Sequence, residues 1–418
     1  MSAIRKILVL AFALLIAAGN APAHADEPAN LLKAAFVRNG DLWIKIENTE
    51  QQLTRGEYIR NPKWSPDGKW IAYTKGENER ELWLRQLDTG LSRPVSPEGG
   101  GNFQWAPNRN LLAFQKEHEL YWIDPDQEQQ GEPKKVAQEI GNFSWLPDGS
   151  GFLASSEAKL LDDKWTRVRI LKIPLSAKGE PGRFETLYEL PPQSDDFFAV
   201  GTSVFKWSAD GRWIAFLATP TASLSADGNT LCVLSADGSD FRKIDQMANN
   251  EQWFEWSGEG ETLAYIGGVG RQATTNKQLK VLELPIGKAV SYTPRGYVDQ
   301  GFTWRNSTKI VVSRAKEAEW SNELGNRPFP FLVEVKLGSR RQKRITRPSD
   351  AYGDFNPISL RDQRLAWVRS DRNTANVLVA GPDAKDPIVW IENIDLGANY
   401  YEQWNWNKVL SFYSKSMM

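Results

Sequence analysis

The chain has 418 residues, 51 basic and 52 acidic, for a net charge of −1, and a single cysteine. That near-neutral balance excludes the basic footprint of a nucleic-acid binder, and one cysteine excludes an intrachain disulfide. Length alone suggests two or three domains, yet 18 tryptophans recur along the chain at a spacing that points to one repeated unit.

At the start, Arg5 and Lys6 precede the apolar run Ile7 to Ala18, and Ala23-His24-Ala25 supplies a small-x-small cleavage site. Residues 1–25 therefore predict a secretory signal peptide, its apolar run too short for a comfortable membrane span. Cleavage near Ala25 predicts an exported protein, periplasmic or extracellular, with no transmembrane segment in the mature chain. No cysteine sits just after the cleavage site, so no lipoprotein anchor is expected.

Residues 26–418 predict a single domain. Ala35-Phe36-Val37 and Asp41 to Ile46 read as later strands of a unit that lacks its beginning. Next comes Trp64-Ser65-Pro66-Asp67-Gly68-Lys69-Trp70-Ile71-Ala72-Tyr73, two strands around a turn. Pro66 pre-sets the first corner of a type I turn, Asp67 bonds local backbone, and Gly68 takes the positive φ that follows. Two more strands follow, Glu81 to Leu87 and Arg93 to Val95, around Asp88-Thr89-Gly90. The pattern returns with Trp105 before Leu112-Ala113-Phe114, Trp145 before Phe152-Leu153-Ala154, and Trp207 before Ile214-Ala215-Phe216. It returns again with Trp256 before Leu263-Ala264-Tyr265 and Trp304 before Val311-Val312-Ser313. Ile358 takes the Trp place before Leu365-Ala366-Trp367, and Trp404 to Phe412 reads as an eighth start.

Units of about 40 to 60 residues, each of four short strands with no helix-period stretch, predict an all-β fold of propeller blades. Joining the Trp404 hairpin to the N-terminal strands gives one composite blade and leaves no sheet edge. The expected fold is a closed β-propeller of four-stranded blades, eight favoured and seven the alternative, with the ring closed by N- and C-terminal strands. At least eight of the tryptophans fall at repeat positions, so they serve packing between blades.

The Trp-Ser-Pro-Asp-Gly-Lys-Trp-Ile-Ala-Tyr stretch and its echoes resemble the WD40-like propeller repeat of the TolB β-propeller proteins. The same repeat is found in the non-catalytic propellers of prolyl-oligopeptidase-type enzymes. The resemblance covers most of residues 31–418; it implies the fold and is silent on activity. TolB carries a separate α/β domain before a six-bladed ring. Here a handful of residues separate Ala25 from the first strand, so the resemblance is to a TolB-like propeller lacking that N-terminal domain. None of TolB's partner-binding residues is carried over.

Once His24 leaves with the signal, His118 is the sole imidazole, in the charged stretch Lys116-Glu117-His118-Glu119. There is no Gly-x-Ser-x-Gly elbow, so neither a Ser-His-Asp hydrolase nor the peptidase half of an oligopeptidase is expected. Zinc and other His-rich sites fail for lack of ligands, which also counts against the propeller lyases of pectin breakdown. Cys232, in Thr230-Leu231-Cys232-Val233-Leu234, reads as an apolar filler in a buried strand. The pairs Asp162-Asp163 and Asp195-Asp196 read as turn residues, and Gly267-Gly268 with Gly270 lacks a phosphate-loop lysine. The basic run Lys336, Arg340, Arg341, Lys343, Arg344 and Arg347 reads as the solvated outer hairpin of a blade.

In an up-and-down blade the second-to-third and blade-to-blade connections share one face of the ring. On that face Leu160–Thr166, Thr219–Gly228, Gly267–Gln278 and Arg314–Pro330 are long. Long loops on a rigid ring are where binding concentrates, which makes Trp165, Arg271 and Trp320 the expected binding residues. The expectation is an exported non-enzymatic scaffold, without metal or cofactor, that binds another envelope or extracellular protein or a cell-wall polymer. The alternatives are a carbohydrate-active enzyme with carboxylates at the channel mouth, and an accessory or sensor subunit of an envelope complex.

Overall fold

The structure, a computed structural model, describes residues 31–127 and 132–413. The expected signal peptide lies outside the described residues. From Leu32 onward the chain builds eight four-stranded antiparallel sheets arranged as the blades of a propeller ring. Blade 1 is Ile59–Trp64, Trp70–Lys75, Glu81–Gln86 and Ser92–Ser96, in sequence order from the inner strand outward. Blades 2 to 7 repeat that order through Ile394, with the inner strand of blade 4 in two pieces, Gly201–Thr202 and Lys206–Trp207.

Blade 8 is composite. Its inner strand is Leu410–Phe412, paired to Lys33–Arg38 with Ala35 opposite Ser411, and Asp41–Ile46 and Thr49–Gln52 complete it. Closure by both chain ends is therefore as expected, and the count is eight. One detail differs from the sequence reading. The C-terminal part gives the ring one strand, and the Trp404 hairpin, Ala398–Tyr400 with Gln403–Asn405, stands outside the blade as a sheet of two.

The Ser-Pro-Asp-Gly turns show why the repeat is written as it is. In blade 1 the Ser65 hydroxyl donates to Asp67 and accepts from the Trp70 N–H, while Asp67 also accepts from the Lys69 N–H. Blade 4 repeats the device with Ser208, Asp210, Arg212 and Trp213. Burial alone would raise the Asp210 carboxyl, but bonds from Ser208 and Arg212 outweigh it and hold the group down to about 2. Gly68 sits at φ +74, and a Cβ there would come within 2.9 Å of the Tyr413 ring, so any other residue is strained at this position.

The apolar core lies between blades rather than inside any one of them. Leu153 and Ile170 of blade 3, for example, pack on Ile214, Phe216 and Cys232 of blade 4. Cys232 is fully buried, and burial pushes its thiol well above the usual range, as a filler role requires. The repeated tryptophans latch the seams. The indole N–H groups of Trp105, Trp145, Trp256 and Trp304 donate to the main-chain oxygens of Lys63, Gln104, Lys206 and Glu255. Each acceptor is the residue just before the repeat position one blade earlier, and Trp64 closes the circle on Ser411 O of blade 8.

Candidate functional site

The blade-connecting and second-to-third loops share one face, as expected, and they carry the chain's irregular structure. Asp162 and Asp163 form the positive-φ turn of a small hairpin, Leu160–Leu161 with Lys164–Trp165. Trp165 is half-buried there. Asp196 accepts from Ser194 and pairs with Lys243, again a turn. His118 is exposed, 3.4 Å from Glu157.

On this face lies the hairpin 398–405. It follows the last strand of blade 7, yet it touches the loops of blades 5, 6 and 7. Tyr401 O accepts from Ala273 N at 2.9 Å, and Gln403 Nε2 donates to Arg271 O at 2.7 Å. Glu402 is 1 % exposed and takes Arg327 Nη1 at 3.0 Å and Arg372 Nε at 3.2 Å, with Trp404 Nε1 at 3.1 Å. Burial lowers the Arg372 guanidinium from its ordinary value, and the carboxylate of Glu402 works against that loss. Tyr401 and Glu402 both lie at positive φ, 53° and 66°, the signature of a two-residue type I′ turn built here without glycine or asparagine. Such conformations cost about 1–3 kcal/mol each and persist only where the surroundings enforce them. The ion cluster around Glu402 does the enforcing.

Two of the three expected binding residues meet at this hairpin. The Trp320 ring lies 5.0 Å from that of Tyr401, with the Arg327 guanidinium 4.0 Å above Trp320. Arg271 grips Asp227 through two bonds of 2.8 and 2.5 Å and sits 5.8 Å from the Tyr401 ring. Trp165 stays apart, on the blade 3 hairpin. Sequence reasoning missed Glu402, Arg327 and Arg372, which hold the hairpin in place.

Below the hairpin, a cavity of about 380 Å³ is lined by the inner strands of blades 4 to 7 and by the segment after the hairpin. Gln300, Phe355, Asn356, Glu402, Trp404 and Trp406 contribute to it. A second space of similar size lies where blades 8, 1 and 2 meet, lined by Lys63, Gln104 and Phe412. Burial pushes the Lys63 ammonium down to about 8; it donates to Phe103 O and lies 4.2 Å from the Phe103 ring.

Apolar exposure is uneven between the two faces. Among the described residues twelve large apolar side chains are exposed, and eight belong to the long-loop face: Tyr58, Leu160, Leu161, Leu224, Val269, Leu324, Tyr352 and Tyr400. Only Leu91 and Ile286 belong to the turns opposite, and Ile388 and Val389 lie on an outer strand.

No known family profile matches this sequence. Over 207 residues the chain is 22% identical to the uncharacterized peptidase YuxL of Bacillus subtilis, covering 41% of this chain and 31% of that protein. A puromycin-hydrolyzing peptidase of Mycobacterium tuberculosis superposes with a TM-score of 0.50 at 13% identity, over 80% of this chain and 53% of that one. TolB from Acinetobacter baumannii matches at a TM-score of 0.36 and 15% identity, over 74% of this chain and 62% of that one. The strand order itself gives a β-propeller of eight blades, the fold that the resemblance to the TolB-like repeat implies. The expectation of a non-enzymatic scaffold is overturned by the first two relatives, which are named peptidases. It rested on the missing nucleophile elbow and histidines, and this chain spans about a third and about half of those relatives.

Proposed function

We propose that the chain is the propeller module of a peptidase-type hydrolase acting outside the cytoplasm, and that its long-loop face seats the hydrolytic module. The observation that carries this reading is the concentration of eight of the twelve exposed large apolar side chains on that one face. A face that holds most of a surface's exposed large apolar side chains suits an interface with a partner module. In this reading the ring seats the hydrolytic module, and His118 stays exposed on the same face beside Glu157. Arg271 and Trp320 contribute by bracing the hairpin at the channel mouth, and Trp165 by shaping the rim.

A photo-crosslinking amino acid placed at Leu161 or Leu224 tests the reading in the cells that make the protein. The crosslinked species should be labelled by a fluorophosphonate, which marks active serine hydrolases, while the same group at Ile286 on the opposite face yields none. Crosslinks at Leu161 and Leu224 that never carry the label would overturn it.

A further inference from the structure

Among the described residues ten buried side-chain nitrogen or oxygen atoms find no hydrogen-bond partner within the protein. Three of them belong to residues lining the cavity under the hairpin: Gln300 Oε1, Asn356 Nδ2 and Trp406 Nε1. Leaving such an atom unpaired costs about 1–3 kcal/mol, so folded proteins keep few and seldom gather them. Gathered around one space, they form a set of polar groups that a ligand entering the cavity can satisfy.

The backbone aims two of the three. Gln300 is the extra residue of a bulge, since Asp299 pairs with Arg314 and Gly301 with Ser313. Asn356 sits in a second bulge, between Phe355 and Ile358, at φ +47. Bulges re-aim side chains and gather at functional sites. Each is anchored by an ion pair: Asp299 with Arg314, both buried, at 2.6 Å, and the buried Asp354 with the half-buried Arg369 at 2.8 Å.

The ring contains its own control. Blade 1 has the same Asn-Pro bulge at Asn61-Pro62, with Asn61 at φ +55. There the amide nitrogen is satisfied, by Thr74 Oγ1 at 3.0 Å and Glu79 Oε2 at 3.1 Å. The fold therefore does not demand an unpaired nitrogen at this place in a blade; blade 7 departs from it. Gln300 Nε2 donates to Ala273 O at 3.2 Å, which fixes which end of that side chain is left over.

The leftover set is one acceptor and two donors. A secondary amide presents the complement, one N–H and a carbonyl oxygen with two lone pairs. Beside these groups the Trp404 and Trp406 rings stack 5.2 Å apart at 14°, with Phe355 at 6.0 and 5.9 Å, an apolar wall that suits a flat group. A volume of about 380 Å³ lies in the range of ligand pockets.

We infer that this channel cavity binds a peptide group, held by Gln300, Asn356 and Trp406 against the indole wall. The inference goes beyond the hydrolase reading, because the site lies on this chain's own inner strands and needs no second module. The test titrates the full chain with N-acetyl-trialanine methylamide, read by tryptophan fluorescence and calorimetry, with maltotriose as the polyhydroxyl comparison. Two variants each delete one unpaired donor: Asn356→Gly, which keeps the positive φ, and Trp406→Phe, which keeps a ring. The peptide should bind the wild type, the sugar should not, and each variant should weaken peptide binding by about fivefold or more. The urea midpoint of Asn356→Gly should stay level or rise, since it loses an unsatisfied group; that variant decides the matter if Trp406→Phe fails to fold. No peptide binding by the wild type, equal binding by the folded variants, or binding of maltotriose in place of the peptide would overturn the site. A missing fluorophosphonate label on the loop face would leave this result untouched.

Discussion

The indole of Trp105 shows what a propeller asks of its repeated residue. It must cover apolar surface between two blades and also satisfy a main-chain carbonyl on the neighbour, here Lys63 O at 3.0 Å. Tryptophan does both, because its one N–H lies at the rim of a large flat surface, whereas phenylalanine supplies only the surface. Trp207 holds the same place in blade 4 and is also half-buried, but its Nε1 is buried without a partner. The two make a matched pair. Trp105→Phe should destabilise the protein in urea by about 1–2 kcal/mol more than Trp207→Phe, since only the first strands a carbonyl. Equal losses would show that the indole bonds add nothing to the seam beyond packing.

The hairpin 398–405 ties the loops of blades 5, 6 and 7 together over the cavity. Its turn residues are held at positive φ by Glu402, whose carboxylate lies between two nearly buried guanidiniums. Glu402→Gln keeps the shape and removes the charge, leaving Arg327 and Arg372 facing each other. Breaking one side of a buried pair typically costs about 3–5 kcal/mol. The expected result is a lower thermal midpoint together with fast amide exchange across residues 398–405, while blades 1 to 4 keep their protection. Unchanged exchange in the hairpin would mean that the turn is held by something other than this cluster. The same element marks the limit of what the sequence discloses. The Ser-Pro-Asp-Gly turns are legible because Ser65, Asp67 and Gly68 satisfy one another within a few residues. A type I′ turn of Tyr401 and Glu402 carries no such local signal, since its support comes from Arg327 and Arg372 in other loops. Trp404 accordingly reads as one more blade start. Arg271 and Trp320 are legible as members of long loops, but their meeting at Tyr401 depends on a chain crossing that spacing does not encode. Gln300 and Asn356 hide for another reason: a bulge is one residue of slack in a strand. The one available clue was that Asn356-Pro357 echoes Asn61-Pro62.

At the scale of the whole molecule the ring depends on a short seam in blade 8. Three strands come from the N-terminal side and one from the C-terminal side, joined over Ala34, Ala35 and Phe36 opposite Phe412, Ser411 and Leu410. Val37 N to Val409 O at 2.8 Å and Tyr413 N to Lys33 O at 2.9 Å extend the ladder, and Tyr413 Oη reaches Pro66 O at 3.0 Å in blade 1. If this seam separates first, the two edges it exposes unravel the sheets on either side, so its strength sets the stability of the ring. Ala35 and Ser411 face each other in register, and replacing both with cysteine would tie the ends across almost the full chain. The lone native thiol, Cys232, is fully buried with its ionisation suppressed, so it does not compete for the bond. Crosslinking so long a loop removes a large part of the unfolded chain's freedom, about 6 kcal/mol before any strain at the new bond. The oxidised double variant should therefore unfold in urea at a clearly higher midpoint than the same protein in reductant, by about 3–5 kcal/mol. The reduced form should lie close to wild type. Coincident oxidised and reduced curves would mean that the seam is not where the ring opens, and that the blades fail independently of how the ends are joined.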